Sequence, residues 1–204
     1  VSAHAAGLGS QPAEAQHHPP VANQSSRVDP RVLGMLLFIG SEIMLFGSFF
    51  TAYFFVRVHA KVWPPVGFER PVYIAGINTV VLVSSSFTVH WALQSIKRGN
   101  RAGLQAGLLL TFLLGFTFLF TQALEYARIG FAPRDNAFTT TFFCLTGLHG
   151  AHVFIGLCLL AMATVRAFRG HFTPERHQGV EVPSIYWHFV DVMWIVVYTT
   201  VYVL

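Results

Sequence analysis

Leu33–Val56, LGMLLFIGSEIMLFGSFFTAYFFV, is a run of 24 residues that carries one formal charge, Glu42. A helix rises about 1.5 Å per residue, so the run reaches roughly 36 Å and can cross a hydrocarbon core of about 30 Å. Glu42 lies roughly 14 Å from its start on the same rise, near the midplane. A carboxylate at that depth must be protonated or paired, because an isolated charge there costs several kcal/mol or more. A chain built on this segment therefore has to supply Glu42 with a partner.

The remaining sequence repeats the pattern. Tyr73–Ile96 and Gly103–Leu124 are uncharged apolar runs. Phe138–Val165 holds His149 and His152, and Ile185–Leu204 holds His188 and Asp191. Only 11% of the residues are charged, against about 25% in a soluble domain. The expected fold is an all-α integral membrane protein, a bundle of five transmembrane helices over residues 32–204. Residues 1–31, rich in Ala, His, Gln, Pro and Ser and without a signal-peptide apolar core, read as a flexible cytoplasmic tail. His17-His18-Pro19-Pro20 within it reads as a solvated His pair. Trp63 before two prolines marks an interfacial loop. Asn78 and Ser85, with Ser84 and Ser86 beside them, give span two a small, hydroxylated face suited to helix contact.

Lysine and arginine set the orientation. With the N-terminus cytoplasmic, the inside carries Arg27, Arg31, Lys97, Arg98, Arg101, Arg166, Arg169 and Arg176, against Arg57, Lys61, Arg70, Arg128 and Arg134 outside. The expectation is N-terminus inside, C-terminus outside. The basic excess belongs to loops and does not point to nucleic acid. Cys144 and Cys158 share one span about 21 Å apart, too far to bridge, and read as small buried apolar residues. No Gly-rich nucleotide loop, nucleophile elbow or CxxC is present.

Chemistry within the bilayer can rest on Glu42, His90, His149, His152, His188 and Asp191. His149/His152 and His188/Asp191 are i, i+3 pairs, each on one helix face. With Glu42 they could build a carboxylate-bridged two-metal centre, although the Glu-x-x-His signature of helical di-iron proteins is missing. They could instead mark a proton pathway, a sparse one with a single Glu and a single Asp. The third reading is structural pairing. Glu42 and His152 fall at similar depths, and sharing a proton satisfies both in a low dielectric. This reading fits best. His188 and Asp191, near the start of span five, would pair with loop groups, and His90 with a neighbour. Arg166, Arg169 and His171 leave the bilayer together. They read either as positive-inside bias or as a phospholipid headgroup site, since guanidinium grips phosphate in bidentate fashion.

GMLLFIGSEIMLF, INTVVLVSSS, QALEY, TFFCLTGLHGAHVFIG and YWHFVDVMWIVVY, in this order from Leu33 to the end, resemble subunit III of the haem–copper respiratory oxidases, of the cytochrome c oxidase type in its five-span form. The resemblance implies a subunit without haem or copper in a bacterial cell membrane. It would pack directly on subunit I, the catalytic subunit that reduces O2 to water and pumps protons, with subunit II and, where present, subunit IV in the same complex. It would support proton uptake, protect subunit I from inactivation and bind phospholipid. The reading makes the chain part of an oxidase without a catalytic centre of its own; quinol oxidases and nitric-oxide reductases carry related subunits. By motif match Glu42 is the family's carbodiimide-reactive carboxylate, His152 its partner, and Arg166 and His171 headgroup positions. Glu125, His149, His188 and Asp191 match motif positions without an assigned role.

Overall fold

The computed structural model describes residues 29–65, 72–174 and 177–204. Among them run five helices, each long and apolar enough to cross a bilayer: α1 Pro30–His59, α2 Val72–Lys97, α3 Arg101–Arg128, α4 Ala137–Phe168 and α5 Gln178–Tyr198. No strand occurs among the described residues. The chain is an all-α integral membrane protein. The expected tail, with His17 and His18, lies almost wholly outside the described residues.

Local signals place the helix ends. Asp29 caps α1, its carboxylate accepting the Arg31 N–H at 2.8 Å, and Pro30 occupies the first helical turn, where its missing donor costs nothing. Asn100 caps α3, and Asn136 with Thr139 forms a reciprocal capping box on α4. Gly170, at φ +73°, closes α4 in the left-handed conformation that only glycine adopts without strain, and the His171 N–H turns back to the Arg166 carbonyl at 3.1 Å. That closure holds His171 beside Arg166.

One helix departs from expectation. α5 begins at Gln178 rather than Ile185. Pro183 suggested a loop, yet it is only the sixth helical residue, near the first-turn N–H groups that have no intrahelical acceptor. α5 runs on into a π-helical turn, Thr199–Val203.

The helices alternate in direction. α2, α3, α4 and α5 close into a ring, and α1 packs from outside against α4 and α5. α1 accordingly buries only Phe46 and Tyr53. Trp187 is the centre of the ring. It is fully buried, its Nε1–H donates to Ser85 Oγ on α2 at 2.9 Å, and its ring lies over Gly115 of α3 and Gly156 of α4. The polar face predicted for span two does mediate contact: Asn78 Oδ1 accepts from Thr121 of α3 at 2.8 Å. Trp63 packs edge-on against Tyr53 and Phe138, with ring centroids 5.3 and 4.9 Å away. Cys144 and Cys158 are free but exposed, contrary to the burial expected of them. The buried face of α4 passes through Phe142, Leu145, His149, Val153 and Leu157, and both cysteines fall off it.

Candidate functional site

Glu42 on α1 and His152 on α4 lie together, Oε2 to Nε2 at 2.8 Å, both side chains largely shielded. The Phe46 ring packs 5.0 Å from the imidazole. His152 Nδ1 sits 2.7 Å from the Leu148 carbonyl. A carbonyl can only accept, so Nδ1 carries a proton. Two states remain at Nε2: an imidazolium donating to carboxylate, or a neutral ring accepting from a protonated Glu42. Either satisfies both groups without water.

His149 lies one turn away, fully buried, between Phe118 and Trp194, with ring centroids 5.8 and 4.8 Å distant. Neither of its nitrogens has a hydrogen-bond partner. Glu125 lies in the last turns of α3, buried, accepting from Tyr202 at 2.9 Å.

The earlier helix start corrects the position of His188 and Asp191. Their offsets from Gln178 place them roughly 15 and 20 Å into α5, at bilayer depth. They meet α2 rather than loop groups. Ser86 donates to Asp191 Oδ2, and its Oγ lies 3.1 Å from His188 Nδ1. His90 pairs with Gln94 on its own helix, Nε2 to Nε2 at 3.3 Å. The residues of the two His-containing pairs and Glu42 thus divide between separate contacts. Among the described residues no three His, Cys, Asp or Glu side chains come together as a metal ion would require.

The third group surrounds a cleft of about 780 Å³ at the Arg166 end of the bundle, lined by Asp29, Arg31, Arg166, His171, Phe172 and Gln178 among others. The Arg166 guanidinium stands 5.5 Å over the Phe172 ring, an arrangement that holds the cation without neutralising it. A second groove of about 370 Å³ shares Arg31, Arg166 and Gln178 and continues along Leu159, Met162, Val182 and Pro183. Arg169, predicted with this group, caps α4 and lines neither space. Sequence reasoning missed Arg31 and Gln178 as cleft residues, Ser86 as the Asp191 donor and Tyr202 as the Glu125 donor. The first two sit at helix starts, where charge and polarity are common and carry little signal. Ser86 was visible only as part of a serine run.

The cleft thus has a cationic mouth and an apolar floor, and α1 and α4 meet in a carboxylate–imidazole pair. A sequence model of the family described as cytochrome c oxidase subunit III matches residues 21–204. The chain belongs to that family. It is 42% identical over 177 residues to cytochrome c oxidase subunit 3 of Thermostichus vulcanus, covering 86% of this chain and 88% of that one. It is 39% identical over 193 residues to the subunit 3 of Loxodonta africana and 42% identical over 197 residues to that of Gadus morhua. Each of those alignments covers 91% of this chain and 72% of the relative. As a subunit III family member, the chain shares descent with components of an oxidase.

Proposed function

We propose that this chain is the non-redox subunit III of a proton-pumping cytochrome c oxidase, packed on the haem- and copper-bearing subunit I, with subunit II in the same complex. The match to the subunit III family over residues 21–204 carries the reading. In it the chain is part of an enzyme and contributes no catalytic group of its own. The haem and copper of the reaction belong to the partners. Its contributions are mechanical and protonic: a rigid ring of helices, the Glu42–His152 pair, and support for proton uptake at the cytoplasmic mouth of subunit I. The N-terminus is cytoplasmic in this reading and the membrane is the bacterial cell membrane.

The experiment is purification of the tagged chain in mild detergent. A haem-bearing subunit and cytochrome c oxidase activity should accompany it, and the separated chain should show neither haem absorbance nor turnover. Stoichiometric haem or copper on the separated chain overturns the proposal.

The cleft suits a phospholipid. Arg31, Arg166 and His171 offer donors to a phosphate, and the groove past Leu159, Met162 and Val182 offers an acyl chain an apolar track. A charge-assisted hydrogen bond is worth about 1.5–3 kcal/mol. Arg166→Ala should therefore lower phospholipid retention in the purified complex by roughly tenfold or more, read as tightly bound lipid phosphorus per complex. Arg169→Ala, outside the cleft, should leave it unchanged. Equal losses in the two variants would mean that general positive charge, not the cleft, holds the lipid.

A further inference from the structure

A polar atom buried among transmembrane helices must find its partner inside the protein, because acyl chains offer none. Several buried side-chain atoms of this bundle have no partner from the protein, and some of them stand singly. Both nitrogens of His149 are orphaned, but the ring is boxed in by Phe118 and Trp194. Asp191 Oδ1 belongs to a carboxylate already held by Ser86. The end of the bundle opposite the cleft is different. There Gln122 and Glu125 lie three residues apart on the buried face of α3, 3% and 6% exposed. Glu125 Oε1 accepts from Tyr202, which reaches it from the π-helical turn. Glu125 Oε2 has no partner, and neither does the oxygen or the nitrogen of the Gln122 amide. That amide stands next to both Glu125 and Tyr202, so three orphaned atoms share one place. Gln122 is six residues from the end of α3, roughly 9 Å along the helix. Asn78 lies six residues into α2. Its Oδ1 accepts from Thr121, the neighbour of Gln122, and its Nδ2 is orphaned as well.

We propose that Gln122 and Glu125, closed over by Tyr202, form an internal water site that ties the π-helical turn to α3. The chemistry of the orphaned atoms selects the ligand. The Gln122 amide needs both an acceptor for its N–H groups and a donor for its oxygen. Glu125 Oε2 needs a donor when the carboxyl is ionised and an acceptor when it is protonated, since Oε1 already accepts from Tyr202. A water molecule donates and accepts, so it serves all three atoms in either state, and three polar partners are the usual number for a buried water. A metal cation cannot accept from the amide N–H groups, and an anion is repelled by an ionised carboxylate. The site lies wholly within this chain and needs no partner subunit. Its place explains a feature of the fold. The π-helical turn has few ties to the rest of the bundle through hydrogen bonds: Tyr53 of α1 donates to the Thr200 carbonyl at 3.1 Å, and Tyr202 donates to Glu125. A water held by Gln122 and Glu125 fixes the carboxylate that Tyr202 grips, and so fixes the turn against α3.

The test uses the full chain, purified in mild detergent with whatever subunits accompany it. Gln122→Met keeps the length and volume of the side chain and removes both amide atoms. If a water is held there, the variant strips it of two of its three partners and leaves Glu125 Oε2 exposed to an apolar interior, so the melting temperature should fall by roughly 4 °C or more. If no water is held, the same variant only removes two orphaned atoms, and the melting temperature should stay level or rise. The infrared spectrum gives a readout that a purely structural role would not move. An O–H stretching band of water isolated from bulk should be present in the unaltered protein, shift in heavy-oxygen water and be missing from Gln122→Met. Should Gln122→Met fail to fold, the unaltered protein still decides the matter. A density map that resolves ordered solvent should show a peak within hydrogen-bond distance of the Gln122 amide and Glu125 Oε2. A direct Gln122–Glu125 contact with no such peak overturns the proposal, as does a Gln122→Met protein that melts with or above the unaltered one. A melting temperature that rises with sodium or potassium, together with the loss of that rise in Gln122→Met, also overturns it, since a cation would then hold the place of the water.

Discussion

Gly115→Val or Gly156→Val should cost the bundle about 3 kcal/mol or more and leave little folded chain in detergent. A Cβ at position 115 would stand 2.5 Å from Trp187 Cη2, and one at position 156 would stand 2.8 Å from Trp187 Cε3. The indole cannot retreat. It is fully buried, pressed between α3 and α4, and tied to Ser85 on α2 through its Nε1–H. Relief would have to come from separating α3 or α4 from α5, which opens the ring at its middle. The association of helices in lipid rests on close packing rather than on a hydrophobic drive, so lost contact is not compensated by burial elsewhere. Gly47→Ala is the control. Its Cβ meets nothing within 4 Å, and alanine is the better helix former by about 1 kcal/mol. Thermal unfolding followed by size-exclusion of a fluorescent fusion separates the cases. A Gly156→Val protein that melts with the unaltered one would remove Trp187 from its central role.

That role was not legible in the sequence. Hydrophobic length fixed the number of spans, because the bilayer imposes it on each segment separately. What sits against Trp187 depends on rotation of four helices about their axes, and no single segment encodes it. Gly115 and Gly156 lie in different spans and look like ordinary membrane glycines. The start of α5 was misplaced for a related reason. Pro183 and the polar stretch from His177 to Glu181 carry the local signature of a loop, and the helix there is held by Val180 and Ser184 packing into the bundle. Counting depth from Ile185 instead of Gln178 puts His188 and Asp191 seven residues too shallow, away from Ser86. The cysteines failed in the opposite direction. Composition predicts burial for free Cys on average, and only the phase of α4 shows that positions 144 and 158 face outward. Glu42 was the most informative residue, since one charge at mid-depth restricts its partner to groups at the same depth. The family motifs then implied what no geometry of this chain contains, a redox partner.

Glu42→Gln should abolish modification by a hydrophobic carbodiimide while changing stability by less than about 1 kcal/mol, because the amide can keep the hydrogen bond. A hydrophobic carbodiimide reaches carboxyl groups from the apolar phase, and Glu42 keeps 15% of its side chain exposed. His152 Nδ1 is committed to the Leu148 carbonyl, so a neutral ring offers Nε2 as an acceptor and the Gln amide supplies the donor. His152→Leu removes that acceptor. The expected cost is the unpaired group, about 2 kcal/mol, with carbodiimide labelling retained or faster. Glu42→Leu with His152→Leu should recover most of that loss, since an apolar pair of similar volume replaces the shielded carboxyl–imidazole contact. The three variants therefore order differently in stability and in labelling: Gln is stable and silent, single Leu is unstable and reactive, and double Leu is stable and silent. A His152→Leu chain as stable as the unaltered one would mean that Glu42 finds its partner elsewhere, and persistent labelling in Glu42→Gln would place the reactive acid at Glu125 or Asp191, the other carboxyl groups buried among these helices.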